Sequence, residues 1–258
     1  MSLVVWVQLR MRARGEHMRG LFAAMALAAV GVSQAAVLFS DDFESGSFSS
    51  GWYSPTGFGS AAVVAGNGTT NYSIDSFAAK VTTASGQARH DFTPSTTGLT
   101  VAETWVYVDT YPPQGRRYMS LMSYSGTQST GTLQNIWAIG TFNGTASNKW
   151  FARVAFAGVN WVPLTGGPDV VTDQWVKLAI HVDDTNAKFF INDVQAGQFA
   201  RGAAGAPNVF RIGDSLSSTH DMWYDNAMVT DAVPEPGTML VLGAGLAALA
   251  RRRRAKKS

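Results

Sequence analysis

Three carboxylates, Asp41, Asp42 and Glu44, crowd the start of the region after residue 35, and an acid–amide pair, Asp225-Asn226, stands close to its end. Calcium takes 6–8 oxygen ligands at ~2.3–2.6 Å from carboxylates, carbonyls and water. If the first and last strands lie side by side, Glu44, Asp225 and Asp41 converge on a structural calcium ion, with Asp42 and Asn226 as further donors. The competing reading makes Asp41 and Asp42 solvated edge charges that discourage strand addition.

The residues for hydrolytic chemistry are sparse. Between positions 36 and 233 the only glutamates are Glu44 and Glu103, 59 positions apart. A retaining glycosidase needs two carboxylates about 5–5.5 Å apart, which this spacing does not supply locally. His90, His181 and His220 are isolated and read as surface or strand-edge residues rather than general bases. With no cysteine, thiol catalysis, disulfides and cysteine-ligated metals are excluded. No serine elbow or phosphate-cradling glycine loop occurs. The chain therefore reads as a non-enzyme.

Aromatic residues are the better candidates. Tyr and Trp offer a flat apolar face to sugar C–H groups while their polar edge stays wet. Trp137, Trp150 and Trp161 lie in or near turn-flanked hairpins, and with Tyr118 they are the candidate carbohydrate platform. Trp105 and Trp175 are assigned to packing or strand edges. Arg116-Arg117, beside Tyr118, could meet an acidic polysaccharide or simply be a solvated loop.

Strands must position these groups. In 99–109, Thr100, Ala102, Thr104, Val106 and Val108 share one face, and in 174–182 Val176, Leu178, Ile180 and Val182 do the same. Further strands are expected at 37–44, 60–65, 77–83, 86–92, 117–124, 133–142, 149–156, 187–192, 208–213 and 222–230. Turn clusters such as Gly66-Asn67-Gly68 and Asn143-Gly144 separate them. No stretch holds a helical period. The fold expected for 36–232 is all-β, a two-sheet jelly-roll sandwich. This body has 10 basic and 16 acidic residues, a balance of −6, although the whole chain carries +2. An acidic body argues against nucleic acid as a partner.

The two ends carry the missing positive charge. Met18-Arg19, an apolar run from Leu21 to Val32 and Ser33-Gln34-Ala35 form the three-part pattern of an export signal over 1–35, with signal peptidase as partner. Residues 1–17 fit poorly before it and read as a mis-assigned start. At the other end Pro234-Glu235-Pro236 precedes an apolar stretch, 238–250, and then Arg251–Arg254. As a helix its 13 residues reach roughly 20 Å, against a hydrocarbon core of ~30 Å. This short hydrophobic helix is a minimal anchor that reaches across the inner membrane by bilayer thinning and snorkelling arginines, which stay cytoplasmic and leave the body outside. The segment 233–258 resembles the PEP-CTERM sorting tail of Gram-negative bacteria. That resemblance implies an exosortase as partner, removal of the tail, and release to the cell surface or extracellular matrix, often among exopolysaccharide.

The body resembles concanavalin A-like, laminin G-like domains. The resemblance rests on 39–46 as a first strand, on Trp175–Asp183 with Ala187–Asp193 as a Trp-initiated hairpin, and on Ile212-Gly213 with Trp223–Val229 as closing strands. A galactose-binding jelly roll, similar in Phe43, Glu44, Gly46 and Trp52, is the alternative; in those modules the matching Glu and Asp hold calcium. Glucanases of the concanavalin A-like type resemble one another in a Glu-x-Asp-x-x-Glu strand, absent here. The resemblance implies polysaccharide binding without catalysis. A structural or adhesive protein-binding role, or less readily a polysaccharide hydrolase or lyase, is the alternative.

Overall fold

The computed structural model describes residues 35–66, 73–109, 115–126, 131–142, 148–216 and 218–231. The expected signal helix and the sorting tail with Pro234, Glu235 and Pro236 lie outside the described residues.

Fourteen antiparallel strands make up the described body. The first five are β1 (Ala36–Asp41), β2 (Trp52–Tyr53), β3 (Gly59–Ala65), β4 (Phe77–Asp91) and β5 (Thr100–Val108). Then come β6 (Arg117–Tyr124), β7 (Leu133–Thr141), β8 (Phe151–Val154) and β9 (Val159–Pro163). The chain closes with β10 (Trp175–Val182), β11 (Asn186–Ile191), β12 (Val194–Ala200), β13 (Val209–Asp214) and β14 (Met222–Asp231). They run in the order β12-β11-β10-β5-β14-β4-β13-β6-β7-β8-β9, with β1 on β14 and with β2 and β3 on β4. Alternation succeeds because each strand has one face in a common core: Val106, Leu178 and Ile180 from one half meet Met119, Trp137 and Ile139 from the other. The all-β jelly-roll sandwich is thus observed, with its two halves continuous through β4.

The expected strands 77–83 and 86–92 are one strand. Its first part pairs Ala79–Val81 with Tyr224–Met222, and its second pairs Gly86–Asp91 with Asp214–Val209. Gly86, just after the expected gap at residues 84–85, is a point of close approach: a β-carbon there would lie 2.6 Å from the Ala61 amide nitrogen and from the Ser60 hydroxyl. The short strands β2, β9 and β12 have no counterpart in the sequence expectation. They are two to seven residues long and only weakly alternating.

Asp41 organises the N-terminal edge. Its Oδ1 accepts from the Phe43 amide at 2.8 Å, and its Oδ2 accepts from the Trp52 indole at 2.7 Å and the Ser49 hydroxyl at 2.6 Å. Asp41 is therefore neither a solvated edge charge nor a carboxylate with oxygens open to a metal. Glu44 and Asp225 do approach one another around the loop 73–77. Glu44 accepts from the amides of Ser76 and Phe77 at 2.9 and 2.8 Å, and Asp225 from those of Ile74 and Asn226 at 2.8 and 2.7 Å. Burial raises the Asp225 pKa to about 6; the two amides work against that shift, while the charges of Glu44 and Asp75 add to it. The Glu44 pKa is lowered, chiefly by the Phe77 amide. Among the described residues no group of three acids or histidines is arranged to hold a metal ion.

Two outcomes follow for stability. Asp41→Ala leaves the buried donors of Phe43 and Trp52 without an acceptor, and urea unfolding should show a loss of about 2–4 kcal/mol. For Asp225, the folded carboxyl holds its proton to about pH 6 whereas the usual value is 3.8, so the folded state binds more protons between them. Stability then falls as pH rises through that window. Thermal midpoints measured from pH 4 to 7.5 should show this decline in the wild type and its loss in Asp225→Asn.

Candidate functional site

The outward face of β4, β13, β6, β7 and β8 gathers cations. The register pairs Arg89 with Arg211, Arg211 with Ser120, Ser120 with Ala138, and Ala138 with Arg153, so these side chains share one face by alternation. Arg211 is 5% exposed; it donates from Nε to the Ser120 hydroxyl at 3.1 Å and from Nη2 to the Tyr118 hydroxyl at 2.7 Å. Arg89 donates to Gln87 Oε1 at 3.0 Å and to the Tyr124 hydroxyl at 3.4 Å. Arg116 and Arg153 each lie 5.9 Å from the centre of the Trp161 ring.

Neutral oxygens and aromatic faces hold these four guanidiniums. Among the described residues none of them forms an ion pair with a carboxylate, whereas Lys80, Lys149, Lys177, Lys188 and Arg201 all do. Burial, followed by repulsion from Arg211, lowers the pKa of Arg89. Burial raises that of Tyr118, which Arg211 opposes and nearby Asp214 reinforces. One Asp214 oxygen accepts from the Ser215 amide at 2.7 Å, and the other is buried without a partner. The face can stabilise an anion, because the positive charges are already assembled and partly desolvated before any ligand arrives.

The aromatic platform expected from the sequence is corrected. Trp137 and Trp150 are fully buried, Tyr118 and Trp161 nearly so. Trp137 lies in the inter-sheet core and donates its indole N–H to the Arg201 carbonyl at 3.0 Å; Trp150 packs in the same core. Tyr118 and Trp161 belong to a second cluster with Phe142 and Phe151, their ring centres 5.1 Å apart. None of the four presents a free face to a sugar. A turn-flanked position does not expose a ring when the hairpin itself folds onto the core. Of the tryptophans assigned to packing or strand edges, Trp175 opens β10 and packs half-buried against Tyr107, ring centres 5.7 Å apart, while Trp105 is half-buried. Of the Arg116-Arg117 pair, only Arg116 lies beside the ring cluster; Arg117 is fully buried and donates to the carbonyls of Leu216, Thr82 and Ala84.

Arg89, Arg153 and Arg211 were not singled out by sequence reasoning. A faint signal exists, since Gln87, Arg89 and Asp91 alternate with Ala88, His90 and Phe92, and Arg211 interrupts an apolar run. Nothing along the chain says that residues 89, 153 and 211 meet. The carboxylate pair for hydrolysis is not assembled: Glu44 holds the 73–77 loop, and Glu103 pairs with Lys177 at 3.0 Å.

No curated protein matches this sequence. Among solved structures, a carbohydrate esterase of the Shiga toxin-encoding bacteriophage phi24B is similar at 17% identity and a TM-score of 0.52, over 76% of this chain and 99% of the other. The globular domain of Trypanosoma cruzi calreticulin aligns at 12% identity and a TM-score of 0.52, over 86% and 99%. The cellulose-induced protein Cip1 aligns at 16% and 0.51, over 76% and 97%. At these identities the likeness is one of fold. A PEP-CTERM protein-sorting motif matches residues 232–254, which marks the chain as an exported precursor for exosortase processing. A family profile matches residues 75–228, the span that supplies β4 and the arginine face, and by that match the chain belongs to the concanavalin A-like lectin/glucanase superfamily.

Proposed function

We propose that the protein is an exosortase-sorted surface or matrix protein whose body binds an acidic exopolysaccharide, without catalysis, on the arginine face. The observation that supports this most directly is the absence, among the described residues, of any carboxylate paired with Arg89, Arg116, Arg153 or Arg211. A body with a balance of −6 places four of its ten basic residues there. Uronate carboxylates accept paired N–H bonds from guanidinium groups, which neutral sugars do not. The half-buried Tyr124 supplies a neutral hydroxyl for sugar groups, while Ser120 and Gln87, buried beneath, hold Arg211 and Arg89 in place. The half-exposed Arg89, Arg153 and Tyr124 form the reachable rim, and Arg211 lies beneath. The calcium expectation narrows to Glu44 and Asp225, with any further ligands coming from carbonyls or water.

Affinity electrophoresis of the full chain tests the reading. At low salt the protein should be retarded in gels containing a polyuronate and not in gels containing neutral dextran. Raising the salt should weaken the retardation, since rim charges are screened. Arg89→Ala with Arg153→Ala should weaken it about tenfold for each residue, ~1.4 kcal/mol apiece. Free migration of the wild type in polyuronate would overturn the proposal and favour the adhesive, protein-binding alternative.

A further inference from the structure

A second open site lies on the other half of the sandwich. Strand β14 bulges between Asp225 and Met228 where it pairs with β5, and Asn226 takes a left-handed φ of 48° there. The bulge, β5 and the loop after β1 enclose a cleft of about 600 Å3, within the ~300–1,000 Å3 typical of small-ligand sites. Trp105, Glu103, Asp42, Lys177 and Asn226 line it.

The chemistry of this cleft is opposite to that of the arginine face. Trp105 is half-buried, and among the described residues its ring stacks on no other ring and its indole N–H has no partner. Asn226 likewise bonds through its backbone amide and leaves its side-chain amide open. Lys177, the one base in the lining, is shared between Glu103 at 3.0 Å and Asp193 at 3.1 Å. One Asp42 oxygen accepts from the Glu44 amide at 3.1 Å, and the other is open. Asp42 and Glu103 thus exceed the positive charge available to them, while buried Asp41 adds its own behind the wall.

We infer that this cleft is a second carbohydrate site, taking an amino sugar with a free ammonium group against Trp105, Asp42 and Glu103. A half-exposed indole offers a flat face to the sugar ring and attracts a cation. The open amide of Asn226 can both donate to and accept from neighbouring hydroxyls. The excess carboxylate charge selects the ammonium over an acetamido group and repels uronates. A neutral sugar would fill the space and leave that charge uncompensated. This site is independent of the acidic-polysaccharide reading: it lies on other strands and carries the other sign. Together the two would let one molecule bridge polymers of opposite charge.

Calorimetric titration of the full chain at neutral pH and low salt tests it, with a glucosamine hexamer and an N-acetylglucosamine hexamer as probes. The glucosamine hexamer should bind about tenfold or more tightly than its acetylated form, as expected where charge-assisted contacts are lost. Trp105→Ala should abolish most of the binding. Asp42→Asn and Glu103→Gln should each weaken it severalfold, with unfolding midpoints near that of the wild type. Asp184→Asn, an exposed acid away from the cleft, and the Arg89→Ala/Arg153→Ala pair should bind like the wild type. Equal binding of the two hexamers, no binding of either, or equal losses in Asp42→Asn and Asp184→Asn would overturn the inference.

Discussion

Strand β4 is the constraint on which the rest depends. Among the described residues it is the one strand that hydrogen-bonds into both halves of the sandwich, to β14 and β3 along its first part and to β13 and β2 along its second. Because the halves share a backbone, their registers are coupled. The pairing that puts Val81 and Ala88 into the core also puts Gln87 and Arg89 on the outer face opposite Gly213 and Arg211. A one-residue slip would invert both sets at once. The crossing tolerates no side chain at Gly86, where Ser60, Ala61 and Gly213 approach its backbone from either side.

Around that seam the polar groups divide into two kinds. Some are fully used within the protein: Asp41 with its donors from Phe43, Ser49 and Trp52, Arg117 with its carbonyls, Thr104 with the Asp225 carbonyl at 2.8 Å. These are satisfied within the sandwich and leave nothing for a ligand. Others carry charge that the described residues balance in part or not at all: the arginine face on one half, and on the other the cleft where Lys177 meets Glu103 and no cation meets Asp42. Desolvating a charge without a counter-charge works against folding. Such groups are therefore where function is to be sought, and their opposite signs give the body two differently selective surfaces.

The aromatic residues show how a reasonable local argument fails. Trp137 and Trp161 sit near turns, yet β7 is central in its half and β9 curls its ring against Tyr118 and Phe142. Trp105 lies in the middle of a well-formed alternating strand, which reads as packing. Its face of β5 is the outer one, and the bulge in β14 opens space beside it. Exposure of a ring is decided by what neighbouring strands do, and those neighbours are distant in sequence.

What could be read from the chain alone was what depends on neighbours within a few residues. The period-two pattern marked most strands to within one or two residues, as at 117–124 and 174–182, because alternation is a local consequence of the pleat. The Pro-Glu-Pro tail with its arginines was legible because a sorting signal is read as a linear segment. Tertiary structure alone decided which polar residues meet. Arg89, Arg153 and Arg211 are spread over 123 positions and converge only because β4, β13, β6, β7 and β8 lie side by side. Net charge could not reveal this, since a sum over the body is blind to position. Nor could the chain show that Asp41, the last residue of β1, spends its oxygens on Trp52 and Ser49 while Asp42, just beyond the strand, keeps one open: which carboxylate meets donors is set by the loop that folds back from Ser49 to Trp52.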